Sequence, residues 1–276
     1  MLFQTCELPS PYDALVESVF HYQGFEPDHS IERVVPTGHV FILFELDGFE
    51  RQTFDNGTLR PDARFRGAWV SGVRRHYLSI SAHQNSEMLV IQFKPFGAHA
   101  FLHLPMSDLA DRVVPGEHIL DGALTGLRDR LVRMPSSAEK FAEVQRWLGA
   151  RFDPSKTAPE PVVRVVERLQ ADPVGRLSEA CADYIGSRKH LIDQFKTYVG
   201  LTPKQYQRVL RFNGVFAEMQ SDQVLSWADI AARCGYSDQS HFIREFKAFS
   251  GFVPEAFVQQ GFDEEASNFF PLDRDG

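Results

Sequence analysis

Residues 228–251, ADIAARCGYSDQSHFIREFKAFSG, contain two short helical patterns separated by a tight turn. The first pattern surrounds Ile230 and ends at Cys234-Gly235, where glycine suits the positive φ of a helix exit. Ser237 is expected to cap the second helix by accepting hydrogen bonds from its first free N–H groups. The spacing i, i+4, i+7 in that helix predicts one buried stripe, which consists of Phe242, Phe246 and Phe249.

The opposite face of the second helix carries polar side chains. Helical phase turns Ser240, Arg244 and Lys247 away from the phenylalanine stripe, with Gln239 and His241 beside them near the helix start. Side chains of these types can reach base edges in the major groove of DNA, and two helices joined by a tight turn form a helix-turn-helix motif. An ordinary solvated helix shows the same pattern, and for this segment taken alone that interpretation is favoured.

A second copy of the pattern upstream favours the helix-turn-helix. Residues 177–206, LSEACADYIGSRKHLIDQFKTYVGLTPKQY, repeat its landmarks at an offset of 51, and Ser187 opens the helix there. The matched pairs are Leu191 with Phe242, Phe195 with Phe246, Gly200 with Gly251, Pro203 with Pro254, and Tyr206 with Phe257. Repetition of this kind indicates one supersecondary unit used twice.

A single long helix is predicted between the two copies, from Pro203 to Met219. About 16 residues at a rise of about 1.5 Å each give a rigid spacer of roughly 24 Å. Two helices held that far apart can enter successive major-groove segments on one face of B-DNA, where one turn is roughly 34 Å.

The paired motif resembles the DNA-binding domain of AraC/XylS-type transcription regulators. The runs GLTPKQY (200–206) and IAARCGYSDQSHFIREFK (230–247) carry this resemblance, which covers roughly residues 162–257. It implies an all-α C-terminal domain with two helix-turn-helix motifs, and promoter DNA and RNA polymerase as partners. It also implies base or phosphate contacts from the second recognition helix, through Gln239, Ser240, His241, Arg244 and Lys247.

The first recognition helix departs from the family pattern. Arg188, Lys189 and Lys196 are candidate DNA contacts, but Ile192 and Asp193 stand where the family usually has polar or basic side chains. Asp193 could accept a hydrogen bond from a cytosine amine, or it could pair with Lys189 at i,i+4. We favour the pair, so the first half-site is expected to be recognised weakly.

Composition sets limits on the rest of the chain. A length of 276 residues with 43% hydrophobic content predicts a soluble protein of two domains. No apolar run could span a bilayer and no signal peptide is recognised, so we expect no membrane partner and a cytoplasmic location. Three scattered cysteines offer neither a disulfide framework nor a four-cysteine zinc site. They are Cys6, Cys181 and Cys234.

Charge argues against a generic polyanion binder, because the net charge is −8. Residues 162–262 nevertheless hold 12 Lys/Arg and 11 Asp/Glu, so that DNA contact must depend on local basic clusters and show a shallow salt dependence. The clusters are Arg188/Lys189/Lys196, Lys204/Arg208/Arg211 and Arg244/Lys247. The remaining acidity belongs to the N-terminal segment and to an acidic tail at 263–276, which is expected to be disordered.

The N-terminal part has a different pattern, of short β-branched and aromatic runs punctuated by turn residues. Strands are predicted within Glu32–Leu46, Phe65–Val73, His76–His83 and Met88–Lys94, and helices at Ser107–Val113, Leu120–Val132 and after a Ser136/Glu139 capping box. The expected architecture is α+β with two domains: a β-barrel or β-sandwich with a helical hairpin at 1–153, a linker at 154–161 and the helix-turn-helix domain at 162–262.

The N-terminal domain resembles, more loosely, the sensory domains of the same regulators, several of which are cupin-like barrels that bind a small effector. Candidate effector residues are Arg74, Arg75 and His76, beside the rings of Phe41, Phe44 and Phe93. Rings with one or two cations would suit a small anion. The alternative, which base rates of buried aromatic residues favour, is that the arginines are a surface pair and the rings are core.

Enzymatic interpretations are weaker. His99 and His103 stand at i,i+4, but they lack a Glu or Cys partner at ligand spacing, so neither a metal site nor a cofactor is expected. No motif for nucleotide hydrolysis or serine chemistry occurs. The sequence therefore predicts a DNA-binding transcription regulator, an activator or a repressor, controlled by effector binding or homodimerisation through its N-terminal domain. Two alternatives are a cupin-like enzyme or carbohydrate-binding module with a helical assembly domain, and a monomeric regulator without a ligand.

Overall fold

The computed structural model of the chain describes residues 1–219, 226–259 and 269–272. Its strands are β1 (Leu2–Cys6), β2 (Val16–Phe25), β3 (Ile31–Val34), β4 (Phe41–Glu45), β5 (Arg51–Phe54), β6 (Pro61–Phe65), β7 (Ala68–Ser71), β8 (Leu78–Ser81), β9 (Ser86–Phe93), β10 (Val113–Pro115) and β11 (Phe269–Pro271). They form two antiparallel sheets. Sheet A has the order β1-β2-β9-β4-β7-β10, and sheet B has the order β11-β3-β8-β5-β6.

Successive side chains of the central strands of sheet A face two different apolar cores. Met88 and Val90 of β9 lie with Phe65 and Ile80 of sheet B in the core between the sheets. The intervening residues of β9, Leu89, Ile91 and Phe93, belong instead to a larger core that the helices complete. Because side chains alternate across a strand, apolar residues at successive positions bury both faces of sheet A. The N-terminal part is therefore a β-sandwich, as one of the two predicted architectures has it.

The helices are α1 (His99–Leu102), α2 (Ala123–Val132), α3 (Ser137–Arg151), α4 (Glu160–Ala171), α5 (Leu177–Ala180), α6 (Arg188–Tyr198), α7 (Pro203–Met219), α8 (Trp227–Arg233), α9 (Gln239–Ser250) and α10 (Pro254–Gln259). The predicted helical hairpin is present as α2 and α3. At the start of α3, the Ser136 hydroxyl accepts a hydrogen bond from the backbone N–H of Glu139. The long helix predicted between the two repeats is α7, with the predicted bounds.

Several local predictions were wrong. The segment predicted as a helix at Ser107–Val113 is a 3-10 turn at Met106–Asp108 that leads into β10, because Val113–Pro115 pair with β7. Pairing with a distant strand thus overrides local helical pattern. The predicted linker at 154–161 contains a 3-10 turn at Pro154–Lys156, and α4 begins inside it at Glu160. Four strands that the sequence did not single out are β1, β2, β5 and β6.

The acidic tail was predicted to be disordered, and this is wrong for Phe269–Pro271. These residues form β11 and pair with β3 at the edge of sheet B. Phe270 supplies the buried apolar side chain that makes this return to the fold favourable. Residues 263–268 and 273–276 of the predicted tail lie outside the described residues.

The helical half packs directly on the sandwich. One continuous apolar cluster runs from sheet A through α3 and α4 to α7 and α9. At the contact, Gly38 lies under the ring of Tyr206, where an added Cβ would come within 3.0 Å of the ring edge. Asn213 of α7 also donates to the carbonyl of Thr37 at 3.4 Å. The two halves therefore share a core, although the domain boundaries drawn from the sequence stay predictions.

Candidate nucleic-acid interface

The second helix-turn-helix unit consists of α8, a turn and α9. Ser226 and Asp229 form a reciprocal capping box at the start of α8, in which each side chain accepts from the other residue's backbone N–H. Gly235 follows α8 with a φ of +72°, the left-handed backbone that the sequence predicted there. The S-x-x-D signature of this capping box is visible in the sequence at 226–229, although the box was not among the predictions.

The N-cap of α9 is Asp238, one residue later than the predicted Ser237. The Asp238 carboxylate accepts from the backbone N–H of His241 at 2.7 Å, and this bond lowers the pKa of Asp238. The Ser237 hydroxyl donates to the Asp238 carboxylate at 3.0 Å instead of capping the helix. A carboxylate is favoured at this position because it complements the positive end of the helix dipole. The correction restores the offset of 51, since the first unit is capped by Ser187.

The predicted apolar stripe of α9 is confirmed. Phe242, Phe246 and Phe249 are all buried, and Phe246 and Phe249 contact the ring of Phe212 on α7 at centroid distances of 5.5 and 4.9 Å. Below the stripe, the buried Glu245 carboxylate accepts from Arg208 Nε of α7 at 2.7 Å. The long helix and the second recognition helix are thus joined by both apolar and ionic contacts, which fixes the direction of the outward face.

The outward face of α9 carries the side chains predicted to contact DNA. Gln239, Ser240, Arg244 and Lys247 are exposed. Within the part of the chain that the structure describes, Arg244 and Lys247 form no ion pair. His241 is half-buried: its Nδ1 lies 3.1 Å from the Ser237 hydroxyl and its Nε2 lies 3.5 Å from Glu245. Four of the five predicted side chains are therefore free to meet a ligand, and the fifth is held by its own helix.

The first unit consists of α5, a turn and α6. The Ser187 hydroxyl caps α6 by accepting from the backbone N–H of His190 at 3.1 Å. Arg188, Lys189 and Lys196 are exposed on its outward side, as predicted. The favoured pair between Lys189 and Asp193 is wrong, because no ion pair within 4.0 Å joins them among the described residues. Asp193 is instead exposed on the surface of α6.

Two residues of the predicted basic cluster Lys204/Arg208/Arg211 are held by other parts of the fold. Arg208 is bound to Glu245, and Arg211 donates to the carbonyl of Gly235 at 3.0 Å while its guanidinium lies 5.5 Å from the centre of the Tyr236 ring. Both arginines hold the second unit on α7. Only Lys204 of that cluster is exposed. No local pattern predicts the Arg208–Glu245 pair, because its partners are 37 positions apart on different helices.

The predicted effector residues do not converge on one pocket. Phe41 borders the core between the sheets, whereas Phe44 and Phe93 are buried in the larger core against the helices. Arg75 forms an ion pair with Asp111, and Arg74 Nη1 donates to the carbonyl of Asp111 at 3.4 Å. Burial lowers the pKa of Arg74 to about 10. His76 Nδ1 lies 3.3 Å from the carbonyl of Ala248 on α9, so this loop contacts the second recognition helix.

A cleft of about 440 Å³ lies elsewhere in the N-terminal half, between sheet A and the start of α3. Its polar lining includes four side chains that are linked through contacts of His21 and Glu87. His21 lies 2.7 Å from the Ser137 hydroxyl and 3.0 Å from Glu87, and the ammonium of Lys140 lies 3.7 Å from the same carboxylate. His21 and Lys140 are both buried, at 2% and 5% exposure. Local sequence pattern does not reveal this cleft, because its lining residues come from five separate segments of the chain.

The core between the sheets contains a charged group of its own. Arg51 contacts two buried carboxylates, with Nε 2.9 Å from Glu45 and Nη2 2.8 Å from Asp47. Because one guanidinium is shared by two acids, burial outweighs its attraction and raises the pKa of Glu45 to about 8. These three side chains are thus linked through Arg51 inside the sandwich.

The histidines considered as metal ligands have other partners. His99 lies 2.7 Å from the carbonyl of Lys156, and His103 lies 2.9 Å from that of Arg151. Across the described ranges, no three His, Cys, Asp or Glu side chains are grouped closely enough to hold a metal ion. Likewise, none of the described helices is both long and apolar enough to span a lipid bilayer.

Two family models match the chain, one in its C-terminal half and one in its N-terminal half. A model described as a helix-turn-helix domain matches residues 181–260, and one described as a domain of unknown function matches residues 9–115. No curated protein matches the chain.

Solved structures of similar architecture include ToxT from Vibrio cholerae O395, which is 15% identical with a TM-score of 0.43 over 93% of this chain and 97% of that one. ToxT bound to (E)-4-(8-methylnaphthalen-1-yl)but-3-enoic acid is 13% identical, with a TM-score of 0.45 over 94% and 99% of the two chains. A DNA-binding transcriptional dual regulator from Escherichia coli K-12 is 18% identical, with a TM-score of 0.33 over 37% and 99%. These likenesses are too distant to bear on function.

Proposed function

Since the C-terminal part of this chain is an AraC-type helix-turn-helix domain, we propose that the protein is a sequence-specific transcription regulator whose N-terminal sandwich controls DNA binding. One observation carries the proposal. Two recognition helices, α6 and α9, bury their apolar stripes against the same core and leave polar outward faces free. Two such faces joined through one rigid helix suit two segments of one DNA site.

Within this proposal the outward faces of α9 and α6 have different roles. Gln239, Ser240 and Arg244 offer hydrogen-bonding geometries that can distinguish bases, and an arginine can grip guanine through two parallel bonds. Lys247 and the first unit's cations contact phosphates, which position a protein on the duplex without selecting sequence. The first unit's cations are Arg188, Lys189 and Lys196. His241 joins the contact only if it leaves Ser237 and Glu245.

The controlling role of the sandwich is supported by its contact with both recognition units. Val73 packs against Gly200 at the end of the first unit, and His76 approaches the Ala248 carbonyl at the end of the second. Any ligand or partner that shifts this loop would change the setting of both helices. Of the residues predicted to bind an effector, His76 therefore acts, in this proposal, at the contact between the two halves.

A small-molecule effector is part of the proposal, and the cleft at the start of α3 supports it. The buried Lys140 and His21 are donors that suit an acidic group on a ligand. Promoter DNA and RNA polymerase are the partners that a regulator requires, which places its action in the cytoplasm. A homodimer would bring two copies of the paired recognition helices to adjacent sites.

Selection of retained sequences from a pool of random duplexes tests the central proposal. We expect enrichment of an asymmetric site with one sharply defined box and one less defined box about one helical turn apart. The matched variants are Arg244→Ala, on the proposed DNA face, and Arg64→Ala, an exposed arginine of β6. Enrichment that survives Arg64→Ala but changes at one base with Arg244→Ala supports the proposal. Absence of enrichment with both the full chain and residues 162–262 would contradict it.

A further inference from the structure

The end of the chain returns to the N-terminal sandwich as a strand. β11 pairs antiparallel with β3, so that Phe270 lies opposite Arg33 and Phe269 lies opposite Val34. The backbone N–H of Leu272 donates to the carbonyl of Ile31 at 2.9 Å. Since β3 is otherwise at the edge of sheet B, β11 completes this edge with residues more than two hundred positions away in sequence.

The side chain of Phe270 joins the opposite half of the molecule. It is only 3% exposed, and its ring lies 4.5 Å from that of Phe257 and 5.9 Å from that of Phe216, centroid to centroid. Phe257 and Phe216 also contact Phe246 of the second recognition helix, at 5.2 and 6.4 Å. Phe270 is therefore bonded through its backbone to the sandwich and packed through its ring against α7 and α10, which contact the second helix-turn-helix unit.

Neighbouring contacts reinforce this attachment. The guanidinium of Arg33, on β3, lies between two rings, 4.7 Å from the centre of Tyr77 and 4.2 Å from that of Phe252. Tyr77 belongs to the sandwich and Phe252 follows α9 directly, so the cation bridges the two halves. Gly251 lies so close that a Cβ there would come within 2.7 Å of both Arg33 and Tyr77.

These contacts involve only the C-terminal end of α9. The exposed side chains proposed to meet bases begin at Gln239, and in helix-turn-helix proteins it is the N-terminal part of the recognition helix that enters the groove. The first unit is attached in the same manner, because Gly200 lies against Val73 of the sandwich. A Cβ added to Gly200 would come within 2.6 Å of the Val73 side chain. The sandwich thus holds both recognition helices from behind and leaves their DNA faces open.

We propose that β11 is a clasp that holds the second helix-turn-helix unit on the sandwich and thereby fixes the spacing and orientation of the two recognition helices. This inference rests on the proposed DNA-binding function. Two linked contacts gain from each other only when the linkage matches the distance between their sites. An intact clasp therefore selects DNA in which the two boxes have one spacing, and its release widens the range of accepted spacings.

The experiment compares Phe270→Ala with Phe269→Ala in the full chain. The two residues are adjacent in β11, but Phe269 is 41% exposed, so that its loss leaves the ring cluster intact. Binding is measured to the selected duplex, to the same duplex with a few base pairs inserted between the boxes, and to the sharper box alone. We expect the wild type and Phe269→Ala to lose roughly ten- to a hundredfold in affinity on insertion. Phe270→Ala should lose much less.

A second pair of variants separates the clasp from the core of the helical half. Arg33→Ala removes the bridging cation from the sandwich side without touching the rings of Phe216 and Phe257, and Arg64→Ala on β6 is its control. Arg33→Ala should also weaken the preference for one spacing. Hydrogen exchange gives a readout without DNA: amides of Leu272 and β3 should exchange faster in Phe270→Ala than in Phe269→Ala.

Three outcomes would overturn the inference. Phe270→Ala and Arg33→Ala could both keep the wild-type spacing preference, or exchange at Leu272 could stay unchanged in Phe270→Ala. Alternatively, the two variants could bind every duplex more tightly than the wild type, which would make the attachment an inhibitor of binding and not a spacer. Failure of the wild type to bind even the sharper box alone would instead contradict the proposed function, so the two failures are distinguishable.

Discussion

The two helix-turn-helix units have the same buried framework and different outward faces. Both recognition helices start at a side-chain cap, Ser187 or Asp238, and both are followed by a glycine with a positive φ, at Gly200 and Gly251. The phenylalanine at the centre of each stripe is completely buried. Folding therefore determines these positions in each unit, because a change at any of them opens a cavity or strains the backbone.

The outward positions differ in a systematic way. Where α9 has Gln239, Ser240 and Arg244, the equivalent positions of α6, 51 residues earlier, have Arg188, Lys189 and Asp193. Within the proposed function, the amide, hydroxyl and guanidinium groups of α9 distinguish base edges, whereas α6 presents two cations to phosphates and has the carboxylate of Asp193 in place of the arginine. One scaffold would then carry a sequence-selecting face and a positioning face within the same domain.

The largest expected effect tests the shared framework. Phe195→Ala and Phe246→Ala remove equivalent, fully buried rings, and each should lower the free energy of unfolding by roughly 3–5 kcal/mol through the cavity it leaves. Chemical denaturation of the two variants measures this. The matched controls are Ile192→Ala and Ile243→Ala, which are half-buried neighbours at the same offset and should cost less. Wild-type stability of either phenylalanine variant would show that its unit is packed differently.

The second prediction concerns the difference between the faces. Arg244→Ala should weaken binding to the selected duplex by about 1–3 kcal/mol and relax the preference at one base position. Asp193→Ala should instead strengthen binding slightly at every sequence, because it removes a negative charge from a phosphate-facing surface. Affinities on a panel of single-base variants distinguish the two. A cytosine preference that disappears with Asp193→Ala would mean that the first unit also selects bases.

Much of this arrangement could be predicted from sequence because it is local. Helix periodicity identified the stripes, the repeat identified the first unit, and Gly235 marked the turn of the second. The cap was misplaced by one residue, because Ser237 and Asp238 are both good caps and only geometry decides between them. The role of Asp193 was also misjudged, since a pair at i,i+4 is weak and exposed side chains are free to separate.

Contacts between distant segments were beyond local pattern. The Arg208–Glu245 pair, the cleft around His21 and the return of Phe270 to the edge of sheet B all join residues of different elements. Among the strands that were not predicted, β5 and β6 of sheet B are short and partly polar, as Pro61–Phe65 illustrates with four exposed residues. Arg74 was singled out for its charge, but the fold uses it to hold the loop at Asp111.

The third prediction compares the two glycines that end the recognition helices. Alanine at either position should lower the free energy of unfolding by roughly 1–2 kcal/mol, because an L-residue is strained in the left-handed region. Gly200→Ala should cost more than Gly251→Ala in thermal unfolding. A Cβ at residue 200 would come within 2.9 Å of the Met106 backbone oxygen, whereas one at residue 251 meets the side chains of Arg33 and Tyr77, which can move. The reverse order would show that the second unit is attached more rigidly than the first.

The smallest effect is a difference in thiol reactivity between the units. Cys234 in the second unit is 4% exposed and burial raises its pKa to about 11, so about one molecule in a thousand holds the thiolate at pH 8. Cys181 in the first unit is half-buried; desolvation raises its pKa too, but Arg188 and Arg168 oppose the rise.

In a Cys6→Ser background, iodoacetamide should therefore label Cys181 faster than Cys234 at pH 8. Because the thiolate is the reactive form, labelling of Cys234 should keep rising as the pH approaches 11. Peptide mass spectrometry at several times measures both rates. Equal rates at pH 8 would mean that the turn of the second unit opens readily in solution, and the second unit would then be the less stable partner in the pair.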